Sequence, residues 1–150
     1  MHEDMQEKPL SILIVEDSAV DYESIMRAFK RLEITNPVHY CKSGDDALDF
    51  LYHRGVYSSH KAEKVDIIML DLNLPGTDGR EVIEIVKHDL TLKHIPIIVL
   101  TTSNSQSDVK SCYLNGANAY INKPVKWEDL LGVLGAFKKF WLESNLVVER

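Results

Sequence analysis

The sequence predicts an α/β fold, a doubly wound five-stranded parallel sheet with helices on both faces. Five short apolar runs, each too short for a helix, alternate with stretches of helical period. The longest runs are rich in isoleucine, valine and leucine without polar alternation, which indicates strands covered on both faces. Because strands that alternate with helices are joined by right-handed crossovers, the sheet is expected to be parallel.

The first βα unit begins with a strand over residues 10–15. Ser18 is expected to start the following helix, with Asp21 three residues later in a pattern similar to a capping box. The helix is predicted to extend to residue 33. Its apolar face is expected to consist of Val20, Ile25, Met26, Phe29 and Leu32.

A short strand over residues 38–42 begins the second unit. Ser43 and Asp46 repeat the capping pattern before a helix, whose buried face is predicted to hold Ala47, Leu48, Phe50 and Leu51. Residues 54–64 have no clear period, so we expect an exposed connection there.

The third strand, over residues 65–70, gives the clearest signal for a central position in the sheet, because its apolar run requires cover on both faces. Asp71 follows it directly, before a loop that contains Pro75 and Gly76. Gly79 is predicted to begin the third helix, with Val82, Ile83 and Val86 facing inward.

The fourth and fifth units complete the pattern. Pro96 precedes a strand over residues 97–100, and Ser105 with Asp108 is expected to cap a helix that Gly116 ends. A strand over residues 119–122 and a last helix over residues 126–143 follow. Five βα units favour the flavodoxin-like strand order 2-1-3-4-5.

The length and the net charge of the chain limit the classes of function that it can have. A chain of 150 residues is typical of one domain, and the formal net charge of −6 argues against non-specific nucleic-acid binding. The cysteines, Cys41 and Cys112, lack the spacing of a disulfide framework or zinc site. With no signal-peptide or membrane-spanning run in the sequence, we expect a cytoplasmic protein. We expect a flexible N-terminus over residues 1–8, one domain over 9–143 and a tail over 144–150.

Chemically active side chains follow four of the strands. They are Glu16 and Asp17 after the first, Asp71 after the third, Thr101 at the end of the fourth and Lys123 after the fifth. In a parallel sheet these ends lie at one edge, where open α/β folds bind ligands. Three carboxylates in one crevice repel each other unless a cation lies among them, and hard oxygen ligands suit Mg²⁺.

These residue types suit phosphoryl transfer. A carboxylate such as Asp71 can act as a nucleophile and form an aspartyl phosphate. Lys123 can pair with one phosphoryl oxygen and the Thr101 hydroxyl can donate to another, while Mg²⁺ neutralises the transferred charge.

Four segments, residues 15–18, 71–79, 100–103 and 120–124, resemble the receiver domain of two-component response regulators. The spacings agree, since Thr101 lies 30 residues after Asp71 and Tyr120 lies three before Lys123. The resemblance covers residues 9–143. It implies that Asp71 is the phosphoacceptor for a histidine kinase and that the protein is not an enzyme beyond slow autodephosphorylation.

The resemblance also implies roles for other residues. Asp17 and Asp71 would bind Mg²⁺ directly together with the backbone carbonyl of Asn73, and Glu16 would act through water. Lys123 would contact the phosphoryl group.

Further expectations concern the response to phosphate. The peptide between Lys123 and Pro124 would be cis. Thr101 and Tyr120 would form the switch, with Tyr120 moving inward. Asn73 and Thr102 would flank the path of water to the phosphoryl group and so set its lifetime.

A narrower likeness concerns partners. Residues 49–52, 54–64 and 91–96 resemble single-domain regulators that pair with bacterial and cyanobacterial phytochrome kinases. Nothing after residue 143 resembles a DNA-binding domain, so we expect output through a bound target protein or a phosphorelay.

The alternative functions are an aspartyl-nucleophile phosphatase and a flavin-binding protein. An aspartyl-nucleophile phosphatase needs a second aspartate two residues after the nucleophile, where Asn73 stands. A flavin-binding protein of the same fold needs a Ser/Thr-rich or Gly-rich phosphate loop after the first strand, where Glu16 and Asp17 would repel phosphate.

The last helix predicts self-association. Its apolar arc covers roughly two-thirds of the circumference, wider than a surface helix needs. We expect a symmetric homodimer through this helix and the fifth strand. The residues expected at its interface are Val133, Ala136, Phe137, Phe140 and Trp141. Alternatively, the tail at residues 146–148 folds back over the helix.

Overall fold

A computed structural model describes residues 8–59 and 63–148 of the chain, and it confirms the predicted fold class. The strands are β1 Ile12–Val15, β2 Val38–Cys41, β3 Ile67–Leu70, β4 Ile97–Thr101 and β5 Ala119–Asn122. The helices are α1 Ala19–Arg31, α2 Gly44–Tyr52, α3 Gly79–His88, α4 Gln106–Leu114 and α5 Trp127–Phe137. All neighbouring strands are parallel, in the predicted order β2-β1-β3-β4-β5.

The register brings the carboxyl ends of the strands together at one edge. Val15, the last residue of β1, pairs with Cys41 of β2 and with Leu70 of β3. Leu70 in turn pairs with Val99 of β4. The side chains that follow these strands therefore meet along a single crevice.

The side chains of the sheet alternate between two cores. On one face, β1, β3 and β4 pack against α1 and α5, which contribute Ile25, Phe29, Leu130 and Leu134 among others. On the other face the strands pack against α2, α3 and α4. Every residue of β1 and β3 is buried, which agrees with their unbroken apolar sequences.

Serine caps begin three helices as predicted. Ser18, Ser43 and Ser105 each accept a hydrogen bond from the backbone N–H three residues later, at 3.2, 3.0 and 3.4 Å respectively. The capping box at α3, formed by Asp78 and Glu81, was not predicted.

Val20 departs from the expected apolar face of α1. Its side chain is exposed, whereas Ile25, Ala28 and Phe29 are buried. Val20 precedes Ile25 by five residues, which places it about 140° around the helix from the buried stripe.

The last helix also differs from expectation. The α-helix ends at Phe137, and a π-helical segment, Lys138–Ser144, continues it. Phe137 is only 2% exposed and stacks on Phe29 of α1 with ring centroids 6.3 Å apart. The prediction that Phe137 lies at a dimer surface is therefore wrong, because its ring is buried in the core against α1.

Other parts of the chain lie partly outside the described residues. The N-terminal segment predicted to be flexible falls on residues 1–8, of which only residue 8 is described. The connection over residues 54–64 contains a 3₁₀ turn at Gly55–Tyr57, and residues 60–62 are not described. Along residues 8–59 and 63–148, no helix has both the length and the apolar character to cross a bilayer.

Candidate functional site

Asp71 lies at the centre of the crevice, directly after β3. It is buried, and its N–H donates to the Val15 carbonyl at 3.0 Å, which extends the β1–β3 pairing by one residue. The first residue of α3, Gly79, allows the helix to approach closely. A Cβ at this position would lie 2.4 Å from the carbonyl oxygen of Asp71. The backbone around Asp71 is thus fixed by β1 on one side and α3 on the other.

Glu16 supplies a second buried carboxylate after β1. Its N–H donates to the Cys41 carbonyl at 3.0 Å, and its Oε2 accepts from the N–H of Ser18 at 3.0 Å. Burial raises the pKa of Glu16, while hydrogen bonds from Lys123 and Ser18 act in the opposite direction. Asp17, next in sequence, is exposed.

Tyr40 supports the Glu16 backbone and Tyr22 stacks on Tyr40, and sequence reasoning singled out neither tyrosine. The Tyr40 hydroxyl donates to the Glu16 carbonyl at 2.9 Å. The Tyr40 ring stacks on Tyr22 with centroids 3.6 Å apart and planes inclined by 4°. This contact joins β2 to α1 beside the acidic residues.

Lys123 connects the carboxylates. Its Nζ lies 2.7 Å from Glu16 Oε1, 2.9 Å from Asp21 Oδ2 and 3.4 Å from Asp71 Oδ2. Burial acts to lower the pKa of Lys123, but hydrogen bonds to Glu16 and Asp21, with the charge of Asp71, raise it above the ordinary value. Lys123 is therefore a charged ammonium within a largely buried cluster.

Asp21 was missed as a site residue. The sequence predicted only that it would help to cap α1, and its backbone N–H does donate to Ser18 Oγ. Its carboxylate, however, accepts a hydrogen bond from Lys123 Nζ, 102 positions later in the chain. No local pattern signals such a pairing.

The expected cis peptide between Lys123 and Pro124 is absent. No peptide bond within residues 8–59 and 63–148 is cis, so this prediction is wrong for this structure. The trans form is favoured for X–Pro bonds by about 0.5–1 kcal/mol. The backbone of Lys123 is anchored by its N–H, which donates to the Thr101 carbonyl at 2.6 Å.

Thr101 presents an unpaired hydroxyl. Its side chain is fully buried at the end of β4, and among the described residues its Oγ1 has no hydrogen-bond partner. Buried hydroxyls are almost always paired, and this one has a donor available for a group that enters the crevice.

The loop after β4 is held by Tyr120 and Asn122 of β5. The half-buried Tyr120 donates its hydroxyl to the Ser103 carbonyl at 2.9 Å. Asn122 Nδ2 donates to the Thr102 carbonyl at 3.2 Å. These hydrogen bonds connect the loop that follows Thr101 to β5.

Two exposed side chains, Asn73 and Thr102, lie on the loops after β3 and β4. A groove of about 440 Å³ opens beside Lys123, lined by Asp21, Ile25, Thr102, Pro124 and Val125 among others. A larger cavity of about 510 Å³ lies at the opposite end of the sheet, before β3 and β4, and is remote from this chemistry.

The donor set fits a hard divalent cation held partly by water. In the described part of the chain, no three His, Cys, Asp or Glu side chains are arranged as a complete metal cage. Mg²⁺ does not require one, since it is typically bound by one or two carboxylates with several waters and phosphate oxygens. The exposed Asp17, the buried Asp71 and the nearby Asn73 carbonyl suit that role.

The chain is similar to known proteins over most of its length. A family model for the response regulator receiver domain matches residues 12–134. The probable methanogenesis regulatory protein FilR2 of Methanothrix harundinacea is 40% identical over 140 residues, which cover 93% of this chain and 88% of that protein. Response regulator Rcp1 of Synechocystis sp. is 36% identical over 141 residues, which cover 94% and 95% respectively.

Two solved structures are similar over nearly their whole length. The Mn²⁺-bound form of Rcp1 has a TM-score of 0.86 at 35% identity and covers 94% of this chain and 100% of its own. The phosphorylated cyanobacterial phytochrome response regulator RcpA has a TM-score of 0.87 at 34% identity and covers 94% and 99%.

Proposed function

The chain belongs to the response regulator receiver domain family, and on that premise we propose that it accepts a phosphoryl group on Asp71 and signals through the resulting surface change. The observation that carries this proposal is the 3.4 Å contact between Lys123 Nζ and Asp71 Oδ2. This contact brings together side chains that follow two different strands, in one crevice. The family match favours this function over the phosphatase and flavin-binding alternatives.

The transfer step uses residues of this chain. An Oδ atom of Asp71 attacks the phosphorus of a phosphohistidine, a new P–O bond forms, and the P–N bond breaks with its electron pair returning to the imidazole nitrogen. Lys123 is positioned to pair with one phosphoryl oxygen. The orphan hydroxyl of Thr101 would gain its missing partner by donating to another.

We propose Mg²⁺ as the cofactor, held by Asp17, Asp71 and the Asn73 carbonyl, with Glu16 acting through water. When bound, the cation neutralises negative charge that accumulates between the carboxylates and the phosphoryl oxygens. The Mn²⁺-bound form of Rcp1, a relative that spans the same length, supports a divalent cation here.

The switch is proposed to pass through Thr101 and Tyr120. When Thr101 donates to a phosphoryl oxygen, the adjoining loop is drawn toward the crevice. The Tyr120 hydroxyl donates a hydrogen bond to the Ser103 carbonyl in this loop, so movement of the loop releases or redirects the tyrosine ring. The surface of β5 and α5 then changes.

For the protein as a whole, we propose a receiver domain over residues 9–143, a tail over residues 144–150 and no catalytic turnover beyond slow autodephosphorylation. A histidine kinase draws on cytoplasmic ATP, so we propose that the protein acts in the cytoplasm. RcpA is a cyanobacterial phytochrome response regulator, and the likeness to it supports a phytochrome kinase as the phosphodonor, with output through a target protein or phosphorelay.

We also propose a homodimer through α5, the π-helical segment and β5. Phe140 is 53% exposed and packs edge-on against the half-buried Trp141, with ring centroids 5.2 Å apart. Val133 is half-buried and Ala136 is exposed on the same helical run. In the tail, Val147 packs on the core that includes α5, whereas Leu146 and Val148 are exposed, so the tail covers this surface only in part.

The direct test is phosphorylation in vitro. Incubation with acetyl phosphate and Mg²⁺ should add one phosphoryl group, seen as a single mass shift, and peptide mapping should assign it to Asp71. Asp71→Asn keeps the size of the side chain and removes the nucleophile, so the shift should disappear. Chelation of Mg²⁺ should also prevent it. Equal labelling of Asp71→Asn would contradict the proposed site.

A further inference from the structure

Lys123 uses its full hydrogen-bonding capacity before any phosphoryl group arrives. An ammonium has three N–H donors and no acceptor. Its three donors meet three carboxylates, those of Glu16, Asp21 and Asp71, and the contact to Asp71 is the longest at 3.4 Å. Lys123 can therefore donate to a phosphoryl oxygen only if it lengthens or gives up one of the other contacts.

The exposure of the two competing carboxylates differs sharply. The Glu16 side chain is 3% exposed, so loss of the ammonium would leave a buried charge without its main partner. The Asp21 side chain is 40% exposed and can be hydrated when Lys123 leaves. Of these two contacts, the one with Asp21 therefore costs less to break than the one with Glu16.

We propose that Asp21 is a positioning residue that holds Lys123 in the unphosphorylated state and releases it when Asp71 is phosphorylated. The inference rests on the proposed function and extends it. The Asp21 carboxylate stabilises the position that Lys123 has in the unphosphorylated protein, and so it opposes phosphorylation. The fraction of protein phosphorylated on Asp71 is therefore lower when the phosphodonor is scarce.

The proposal predicts an asymmetric kinetic effect. Without the Asp21 carboxylate, Lys123 is free to meet the incoming phosphoryl group, and the phosphorylation rate should rise by roughly threefold to tenfold, the range for a partly exposed ion pair that joins a buried lysine. In the phosphorylated protein the Asp21 contact is already broken. The rate of phosphate loss should therefore stay within about twofold of its original value.

The test uses the full chain with acetyl phosphate at saturating Mg²⁺. Asp21→Asn removes the charge but keeps the backbone N–H that donates to Ser18. Glu23→Gln is the matched control, because it removes one exposed carboxylate from the same helix. Asp21→Glu restores the charge and should return the rate to within about twofold of the unmodified protein. Circular dichroism confirms that each variant is folded.

Each outcome either supports the proposal or overturns it. Faster phosphorylation in Asp21→Asn alone, with unchanged phosphate loss, supports the proposal. An unchanged rate in Asp21→Asn, an equal increase in Glu23→Gln or Asp21→Glu, or a parallel change in phosphate loss would overturn it. If the unmodified protein takes up no phosphate on Asp71, the proposed function itself fails, and this result is distinct from the others.

Discussion

Arg80 and Asp108 are joined by two parallel hydrogen bonds, from Nε to Oδ1 and from Nη2 to Oδ2, each 2.9 Å long. This pair connects the first turn of α3 to the first turn of α4. Asp108 Oδ2 also accepts from the Ser103 hydroxyl at 2.6 Å, so the loop beside Thr101 is attached to the same pair. The Arg80 and Ser103 hydrogen bonds lower the pKa of Asp108 to about 2.

The first prediction is a pH-dependent loss of stability in Asp108→Asn. The folded-state pKa lies below the ordinary value of 3.8, so Asp108 contributes stability above about pH 4 that is lost as the pH falls toward 2. The stability difference between the unmodified protein and Asp108→Asn should therefore be larger at pH 6 than at pH 3. Urea unfolding at both pH values measures it, with the exposed Glu84→Gln of α3 as the control. A difference that stays constant would contradict the assignment.

The strand-end residues could be predicted from the sequence, because each of them lies at or directly after the end of a predicted strand. The prediction that Asp71, Thr101 and Lys123 lie together required only the rule that parallel strands end at one edge of the sheet. The pairing of Arg80 with Asp108 spans 28 residues, and Asp108 itself was recognised only as part of a cap.

The contacts of Asp21 and Tyr40 could not be predicted from the sequence either. Each lies on a different element from the group it contacts, and the contact depends on how that element packs on the sheet. Periodicity indicates which face of a helix is buried, but not which partner a polar residue on its rim will meet. Val20 shows that even the face can be misjudged when an apolar residue lies in the first turn.

The second prediction concerns Gly79. A Cβ there would lie 2.4 Å from the Asp71 carbonyl oxygen and 2.6 Å from the Leu72 Cα, so backbone must shift. We expect Gly79→Ala to lower the free energy of unfolding by about 1–3 kcal/mol and to slow phosphorylation of Asp71. Gly132→Ala is the matched control, because a Cβ there meets nothing within 4 Å. It should raise stability by about 0.5–1 kcal/mol. Equal effects of the two changes in urea unfolding would contradict this account.

The third prediction concerns the loop after β4. Tyr120→Phe removes the hydroxyl that donates to the Ser103 carbonyl and leaves the ring in place. Stability should fall by about 0.5–1.5 kcal/mol. Amide hydrogen exchange should become faster at residues 102–105 and remain unchanged in β1. Unchanged exchange in the loop would show that Tyr120 does not restrain it.

The fourth prediction concerns phosphate lifetime. Thr102 is exposed at the rim of the groove beside Lys123, where its side chain can screen a phosphoryl group from water. Thr102→Ala should accelerate phosphate loss by roughly twofold to fivefold, which corresponds to less than about 1 kcal/mol in the barrier. Thr35→Ala, in the exposed connection before β2, provides the control. Loss of radiolabel measures both rates, and equal rates would remove Thr102 from the account.

The last prediction concerns self-association. Phe140 is the most exposed aromatic residue of the proposed dimer surface, and a charge placed there would be buried without a partner in the dimer. Phe140→Glu should shift the protein to monomer in sedimentation velocity while Asp71 remains phosphorylated by acetyl phosphate. Leu90→Glu introduces the same charge at another exposed apolar position, after α3, and should leave the dimer intact. If the unmodified protein sediments only as a monomer, both with and without phosphate, the exposed Phe140 does not form a homodimer contact.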